Sequence, residues 1–209
     1  MSEQPRLVSN AALRTLFLAI EQVMGENGIK AVLNFGGLKR FINNYPPNNL
    51  AKEVNFTDYG EAQQAVEDFY GPRGARAFML RIGRASFRYA LEEQPAILGL
   101  AGLALKLLPH DTRMKLILTR IAHGAKETLN MPAHVEETPE HFVYVTEDCP
   151  CRYRKRDLKT PCCYVTVGAL MEAMRWATGT EHGVTEFECI NVGDSACRYR
   201  VEKKATEKA

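Results

Sequence analysis

The sequence predicts a mixed α/β fold, because helical and strand patterns occupy separate parts of the chain. The first two thirds carry apolar residues at helical spacing, beginning with Leu13, Leu16 and Ile20. After Pro132 the pattern changes to short apolar runs joined by turn residues, which predicts two β-hairpins with one helix between them. Helices followed by hairpins indicate an α+β arrangement with an antiparallel sheet.

Each helix of the first part is bounded by turn or breaker residues. We expect breaks at Gly28, at the Gly36-Gly37 pair and at Gly71-Pro72. The expected helices cover residues 11–24, 57–70, 74–93, 96–108 and 111–129, with a broken one over 29–42. Of these, residues 96–108 are almost wholly apolar, which suits a lid, a dimer face or an element that touches a membrane transiently.

The second part is expected to form four strands and one helix. Residues 134–138 and 142–146 make the first hairpin, and residues 183–190 and 197–202 make the second. The helix between them starts at Thr160-Pro161, with proline at its first position, and ends before Gly179.

Composition limits the class of protein. At 209 residues the chain suits one domain, and its net charge of +2 gives no indication of nucleic-acid binding. The N-terminus lacks a signal-peptide pattern, and the longest apolar run is well short of the roughly 20 residues that span a bilayer. We therefore expect a cytoplasmic protein, where six cysteines are metal ligands or free thiols rather than disulfides.

Three cysteines and one glutamate have the spacing of a metal site. Cys163 lies in the first turn of a helix, where the helix dipole favours the thiolate form. Cys189 and Cys197 lie on the two arms of one hairpin, with Glu186 just before them. Three thiolates and a carboxylate complete a closed tetrahedral zinc site, which is structural rather than catalytic. Iron is the alternative metal for such thiolate-rich ligands.

The predicted site requires an irregular strand. Glu186 and Cys189 are separated by an odd number of residues, so a regular strand would direct their side chains to opposite faces. A bulge or bend within residues 187–190 would bring them together. The alternative is that these cysteines are simply small buried hydrophobic residues.

Three further cysteines allow a second thiol site. Cys149 and Cys151 flank a proline, and Cys162 follows ten residues later. They could chelate a second metal, but no fourth ligand is evident, so loop thiols without a metal are favoured. The basic run over residues 152–159 is expected to be a solvated loop rather than a nucleic-acid contact.

These motifs resemble those of the 4-vinyl reductase (hydrocarbon-binding) domain family. The resemblance spans residues 70–201 and rests on Cys163-x4-Gly168, Glu186-x2-Cys189 and Gly193-Asp194-x2-Cys197-x-Tyr199. It implies a four-stranded antiparallel sheet covered by helices, a homodimer, and a distant relation to subunits of the TRAPP vesicle-tethering complex. It also implies that residues 71–203 form the domain, residues 1–70 a helical extension packed on it, and residues 204–209 a polar tail.

The resemblance implies a ligand pocket as well. In aromatic-sensing activators of this family, the matching three cysteines and glutamate bind zinc beside a cavity for a small aromatic molecule. The matching pocket residues here are Phe142, Val167 and Val184. Trp176 is either a pocket or a core residue, and the core is favoured because large aromatic side chains mostly fill cores. The two valines replace hydroxylated aromatic residues of the phenol sensors, which favours a more apolar or larger ligand.

Three functions are compatible with these observations. The first is a sensor or carrier that binds a hydrophobic, aromatic or tetrapyrrole-like molecule and contains a structural zinc. The second is an accessory factor or reductase of bacteriochlorophyll vinyl-group reduction. Such an enzyme would need an external reductant, because the chain has no dinucleotide-binding motif. The third is an interaction scaffold like the vesicle-tethering subunits.

Overall fold

A computed structural model describes residues 6–94, 107–154 and 160–206. Nearly all of the apolar helix predicted over residues 96–108, and Lys155, Arg156 and Lys159 of the basic run, lie outside these ranges. The described residues confirm the mixed α/β fold, in which helices pack on a four-stranded antiparallel sheet. No helix among them is both long enough and apolar enough to cross a membrane.

From Pro132 onward the chain forms two strands, one helix and two further strands, in the predicted order. The N-terminal part adds two short strands. The elements are β1 Leu7–Ser9, α1 Asn10–Phe35, β2 Lys52–Asn55, α2 Phe56–Glu93, α3 His110–Leu129, β3 Ala133–Glu137, β4 His141–Thr146, α4 Tyr164–Thr178, β5 His182–Glu188 and β6 Cys197–Ala205. Short 3-10 turns cover Lys39–Phe41, Pro150–Tyr153 and Ile190–Val192.

Both long helices are broken at a glycine. Gly25 in α1 and Gly71 in α2 have positive φ angles of 76° and 71°, and their ψ angles of 170° and 163° are not helical. Glycine adopts this conformation without a Cβ clash. The break at Gly71-Pro72 was predicted, and α1 breaks at Gly25, directly after the predicted end of the first helix, and then continues to Phe35.

The main sheet has the strand order β3-β4-β6-β5, with every neighbouring pair antiparallel. Strand β6 is central, and Val201 lies opposite both Phe142 and Val184. The N-terminal pair β1–β2 forms a separate two-stranded sheet that the sequence pattern did not predict. Strands of three and four residues are too short to show a clear alternation.

Helix α4 lies between two hydrophobic clusters. One cluster is formed mainly by α1 and α2, and the other by the sheet with α3 and α4. The helix begins after Cys163, three residues later than predicted, and ends at Gly179, whose φ is 82°. Trp176 near its end is 39% exposed, so the expectation that Trp176 is a core residue was wrong.

Histidine 182 is fully buried at the start of β5, which gives a prediction about pH. Its ring contacts Thr178 Oγ1 and Thr180 Oγ1 at 3.1 Å and the Glu202 carbonyl at 2.8 Å. Burial lowers the pKa of His182, so the folded chain holds it neutral. In the unfolded chain this histidine binds a proton below pH ~6.5, so stability should fall as the pH drops from 7 to 5.

This prediction is checked by urea unfolding at pH 7, 6 and 5. The slope of unfolding free energy against pH should become shallower in His182→Gln, by up to about 1.4 kcal/mol per pH unit. An unchanged slope in that variant would assign the acid sensitivity to other groups.

Candidate metal centre

All six cysteines lie in one buried cluster. They come from the turn after β4, from the start of α4 and from the β5–β6 hairpin. Cys163 is the N-cap of α4, Cys189 follows the end of β5, and Cys197 begins β6. Cys149 and Cys151 belong to the turn after β4, and Cys162 precedes the helix. All six side chains are buried and none forms a disulfide. The thiols therefore face one another rather than solvent.

The sulfur atoms are spaced as ligands of a common centre. A zinc–sulfur bond of about 2.3 Å gives a tetrahedral edge of roughly 3.8 Å between two sulfurs. The observed Sγ–Sγ distances bracket this value: 3.5 Å for Cys149–Cys163, 3.5 Å for Cys151–Cys197, 3.8 Å for Cys151–Cys189, 3.9 Å for Cys162–Cys189, 4.0 Å for Cys163–Cys189 and 4.0 Å for Cys163–Cys197.

The required strand irregularity is present. The register of β5 on β6 shifts between Glu186 and Glu188, which confirms the predicted bulge. Beyond it, the Cys189 N–H donates to Asp194 Oδ2 at 2.7 Å, and the Ile190 N–H donates to Cys197 Sγ at 3.4 Å. These bonds shape the turn that brings Cys189 and Cys197 together.

Glu186 has one carboxylate oxygen with no partner among the described residues. Its Oε2 accepts the Cys163 N–H at 2.7 Å, while Oε1 is buried without a hydrogen bond. Burial and the neighbouring Cys189 charge raise the pKa of Glu186 to about 9. A buried acceptor without a partner is costly unless a cation or donor satisfies it. The residues therefore fit a metal ion at this position.

Two groups of four ligand atoms have the compactness of a metal site. Cys163, Glu186, Cys189 and Cys197 form one group, in which all ligand atoms lie within 4.8 Å of one another. This is the ligand set that the sequence predicts. The second group consists of Cys149, Cys151, Cys163 and Cys197, within the same limit. The first group retains a carboxylate, and the second is all sulfur.

The second group changes the interpretation of Cys149 and Cys151, which belong to it. Cys149 and Cys151 were favoured as loop thiols, but both are buried against the ligands of the first group. Cys162 contacts Cys189 and accepts a weak hydrogen bond from Asn191 Nδ2 at 3.9 Å. Cysteines on other elements lie close enough to supply the further ligand atoms that the sequence pattern lacked.

Arg154 connects the cluster to α2. Its side chain is buried, pairs with Glu67, and donates to Gln64 Oε1 at 3.2 Å and to the Cys162 carbonyl at 3.0 Å. The expectation that the basic run is a solvated loop was therefore wrong for Arg154. A buried guanidinium beside the cluster offsets part of the negative charge that thiolates would carry.

An apolar pocket lies between the helices and reaches β4 of the main sheet. Its volume is about 200 Å³, and its wall comes from α1, α2, α3, α4 and Tyr144 of β4. Three α4 residues line it, namely Val165, Thr166 and Ala169. Ser86 of α2 also lines it, and the Ser86 hydroxyl is buried with no hydrogen-bond partner among the described residues. The pocket thus has one unsatisfied polar group in an apolar wall.

None of the four residues predicted for the pocket lines this cavity. Phe142 and Val167 are buried in the cluster between sheet and helices, and Val184 packs against its edge. Trp176 borders a different groove together with Arg88 and Glu172. Helix–helix packing, which sequence spacing does not reveal, determines where the cavity lies.

Two arginines of α2 form ion pairs with glutamates of α4 and of the turn that follows it. Arg84 pairs with Glu172 at 3.0 Å and with Glu181 at 2.8 Å, and Arg88 pairs with Glu172 at 3.1 Å. Although burial alone would raise the pKa of Glu172, these hydrogen bonds bring it below its ordinary value. The pairs attach α4 to α2 at the end opposite the cysteines.

Comparisons with known proteins give the fold. No protein-family model matches the chain, and no curated protein does. Similar solved structures include an H-NOX protein from K. algicida, which has a TM-score of 0.59, is 9% identical and covers 95% of this chain and 97% of that one. An H-NOX protein from S. oneidensis has a TM-score of 0.57, is 12% identical and covers 90% and 97%.

A third similar structure is the phenol-responsive sensory domain of the transcription activator PoxR, bound to phenol. It has a TM-score of 0.53, is 16% identical, and covers 74% of this chain and 77% of that one. At these identities the likeness establishes a shared α/β fold.

Proposed function

We propose that the chain is a small-molecule-binding module of the 4-vinyl reductase type, acting as a sensor or carrier, with a structural zinc on Cys163, Glu186, Cys189 and Cys197. The observation that carries the proposal is the apolar pocket with the unsatisfied Ser86 hydroxyl in its wall. One structure of similar fold supports the proposal, because it is a sensory domain with bound phenol, that of the activator PoxR.

The pocket volume indicates the size of the ligand. Sites for drug-sized ligands measure about 300–1,000 Å³, whereas an apolar cavity of about 150 Å³ accepts benzene. A pocket of about 200 Å³ therefore suits a single ring with few substituents. It is small for the larger ligand suggested by the two valines, and smaller still for a tetrapyrrole. The Ser86 hydroxyl favours a ring with one hydrogen-bonding group.

A haem ligand, which an H-NOX structure of similar fold suggests, is not favoured. No histidine or cysteine among the described residues lines the pocket. Those are the axial ligands of globins, peroxidases and P450 enzymes. The pocket chemistry favours an organic ligand held by apolar contacts.

Zinc at the predicted site would cross-link α4 to the β5–β6 hairpin. Such a closed site contributes folding energy and fixes the first turn of α4. Because Val165 and Thr166 lie two and three residues after Cys163, the same turn forms part of the pocket wall. The metal centre would thus support the pocket without touching the ligand.

The test compares phenol with toluene, which differ in one hydroxyl group. We expect both to bind, and phenol to bind wild type better. Ser86→Ala should weaken phenol binding about fivefold, since a hydrogen bond contributes roughly 1 kcal/mol, and should leave toluene binding unchanged. Calorimetric titration and the ligand-induced rise in Tm both measure this.

A second variant distinguishes the pocket from surface binding. Ala169→Leu should fill part of the pocket and abolish binding of both probes. Binding that persists in Ala169→Leu would contradict this location. Absence of binding by either probe to wild type would contradict the proposed ligand class. The homodimer remains a prediction, which sedimentation equilibrium tests.

A further inference from the structure

A fifth side chain adjoins the four residues of the predicted zinc site. Cys151 lies with its sulfur 3.5 Å from that of Cys197 and 3.8 Å from that of Cys189. The same sulfur is within 4.8 Å of the Cys163 sulfur. Cys151 is therefore close to all three thiols of the site, whose fourth member is Glu186. A single ion there has two candidates for its fourth ligand, a carboxylate and a thiolate.

We propose that the centre binds one ion and exchanges its fourth ligand according to the softness of the metal. On zinc the fourth ligand is Glu186. On a soft divalent ion such as cadmium it is Cys151, which completes a site of four thiolates. Thiolates favour soft ions, whereas carboxylates favour harder ones. This inference rests on the zinc site of the proposed function, to which it adds a second class of metal ion.

The four sulfurs fit one tetrahedron. Four of its six edges measure 3.5 Å for Cys151–Cys197, 3.8 Å for Cys151–Cys189, 4.0 Å for Cys163–Cys189 and 4.0 Å for Cys163–Cys197. The other two, Cys151–Cys163 and Cys189–Cys197, are no longer than 4.8 Å. Bonds of about 2.3 Å to one central ion give edges of roughly 3.8 Å. The observed edges lie around this value and extend above it, so an ion slightly larger than zinc also fits.

The other two thiols are less suited to this position. Cys149 lies 3.5 Å from Cys163, but the compact group to which Cys149 belongs omits Cys189. Cys162 lies 3.9 Å from Cys189 and belongs to neither compact group. Cys151 has short contacts with both cysteines of the β5–β6 hairpin, which makes it the thiol that can replace Glu186 while the other three ligands stay in place.

The backbone fixes the position of Cys151. This residue belongs to the Pro150–Tyr153 turn, and its carbonyl accepts the Arg154 N–H at 3.0 Å. The turn packs tightly on α2, since a Cβ at Gly60 would lie only 2.9 Å from the Pro150 carbonyl oxygen. A thiol that is held in this way loses little conformational entropy when it binds an ion.

Glu186 keeps one contact when it leaves the ion. Its Oε2 accepts the Cys163 N–H at 2.7 Å, while Oε1 has no partner among the described residues. Oε1 is therefore the atom that binds zinc. In the exchange Cys151 gives up its thiol proton and the Glu186 carboxylate takes up a proton, so the total charge of the buried centre does not change.

The experiment counts the sulfur and oxygen neighbours of the ion by X-ray absorption at the metal edge. The whole chain is purified with a phosphine reductant and supplied with one equivalent of Zn²⁺ or of Cd²⁺. In wild type we expect three sulfurs and one oxygen around zinc, and four sulfurs around cadmium. Comparing the two ions in wild type does not depend on any variant that must fold.

Two variants test which thiol is exchanged. Cys151→Ser should return cadmium to three sulfurs and one oxygen, and should lower the affinity ratio of cadmium to zinc by at least about tenfold. Cys149→Ser is the matched control, because Cys149 is equally buried and lies two residues away. It should keep four sulfurs around cadmium. Loss of the four-sulfur site in Cys149→Ser would place the ion in the group that contains Cys149 and would overturn the exchange.

The wild-type results separate this inference from the proposed function. Three sulfurs and one oxygen around both ions would overturn the exchange and leave the zinc site of the proposed function intact. Four sulfurs around zinc itself would overturn both, because Glu186 would then bind neither ion. Absence of any bound ion would also overturn both, while phenol binding would still test the pocket.

A second comparison uses zinc alone. Glu186→Gln should retain one zinc, now with four sulfurs, because Cys151 takes the fourth position. The double variant Glu186→Gln with Cys151→Ser should lose its zinc during dialysis against a weak chelator. Equal retention of zinc by the single and the double variant would contradict the replacement of Glu186 by Cys151.

Discussion

Replacing Cys197 with serine is expected to lower the free energy of unfolding by at least about 4 kcal/mol. Structural zinc in small domains binds with apparent energies of about 10–16 kcal/mol, much of which is folding energy. Cys197 belongs to both ligand groups and is fully buried where β6 begins. For a chain of this size the loss should lower Tm by roughly 10 °C or more in thermal unfolding by circular dichroism.

Cys162→Ser and a chelator provide the controls. Cys162 is equally buried but lies outside both groups, so its serine variant should keep most of the wild-type Tm. A strong chelator should lower the Tm of wild type and have little effect on Cys197→Ser. Because zinc ligands must lose protons, chelation should become easier as the pH falls. Equal Tm values for wild type and Cys197→Ser, with no chelator effect on either, would contradict a stabilising metal.

The positions of the residues of the first group could be predicted from sequence because their constraints are local. Cys163 was placed at a helix start, and it is the N-cap of α4. The odd separation of Glu186 and Cys189 predicted a bulge, and the register of β5 shifts there. In both cases the periodicity of one element determines where a side chain points.

The role of the other thiols could not be predicted in this way. A Cys-x-Cys pair in a linker indicates two possible metal ligands, but not the residues that would complete a four-ligand site. Its partners Cys163 and Cys197 lie on α4 and β6, and Cys151 and Cys197 are 46 residues apart. Only tertiary packing brings them together. The same holds for Arg154. The sequence indicates a solvated basic run, and only the fold shows the ion pair of Arg154 with Glu67 of α2.

The position of this cavity could not be predicted for a related reason. Its wall combines side chains from four helices and one strand, and none of the predicted pocket residues belongs to it. Amphipathic spacing predicts which face of a helix is buried, but not whether neighbouring helices meet without filling the space between them. Ser86 has no distinctive sequence context, so its unsatisfied hydroxyl becomes apparent only in the fold.

The second large loss of stability is expected from substitutions at the contact between α2 and α4. At the crossing, a Cβ on Gly83 would lie 2.0 Å from the Val165 carbonyl oxygen, and a Cβ on Gly168 would lie 2.1 Å from the Leu80 carbonyl oxygen. Backbone atoms cannot yield as a flexible side chain does, so alanine at either glycine must force the helices apart. We expect Gly83→Ala and Gly168→Ala each to cost about 3 kcal/mol or more in urea unfolding.

Gly74→Ala is the matched control on the same helix. Gly74 is exposed, and its nearest neighbour to an added Cβ is the Tyr70 Cβ at 3.5 Å, an ordinary contact. Alanine favours helix over glycine by up to about 1 kcal/mol, so this variant should be neutral or more stable than wild type. A destabilisation of Gly83→Ala no larger than that of Gly74→Ala would contradict the close crossing.

The crossing also connects packing to the metal centre. Gly168 lies five residues after Cys163 on α4, so pushing α4 away from α2 moves the helix start that supplies a ligand to both groups. Gly83→Ala should therefore retain less zinc than Gly74→Ala during dialysis against a weak chelator. If Gly83→Ala loses stability but retains zinc as well as the control, the sheet and the Pro150–Tyr153 turn hold the cysteines independently of the helix crossing. Reduced retention would mean that the two glycines, which touch no ligand, position Cys163 through the α4 backbone.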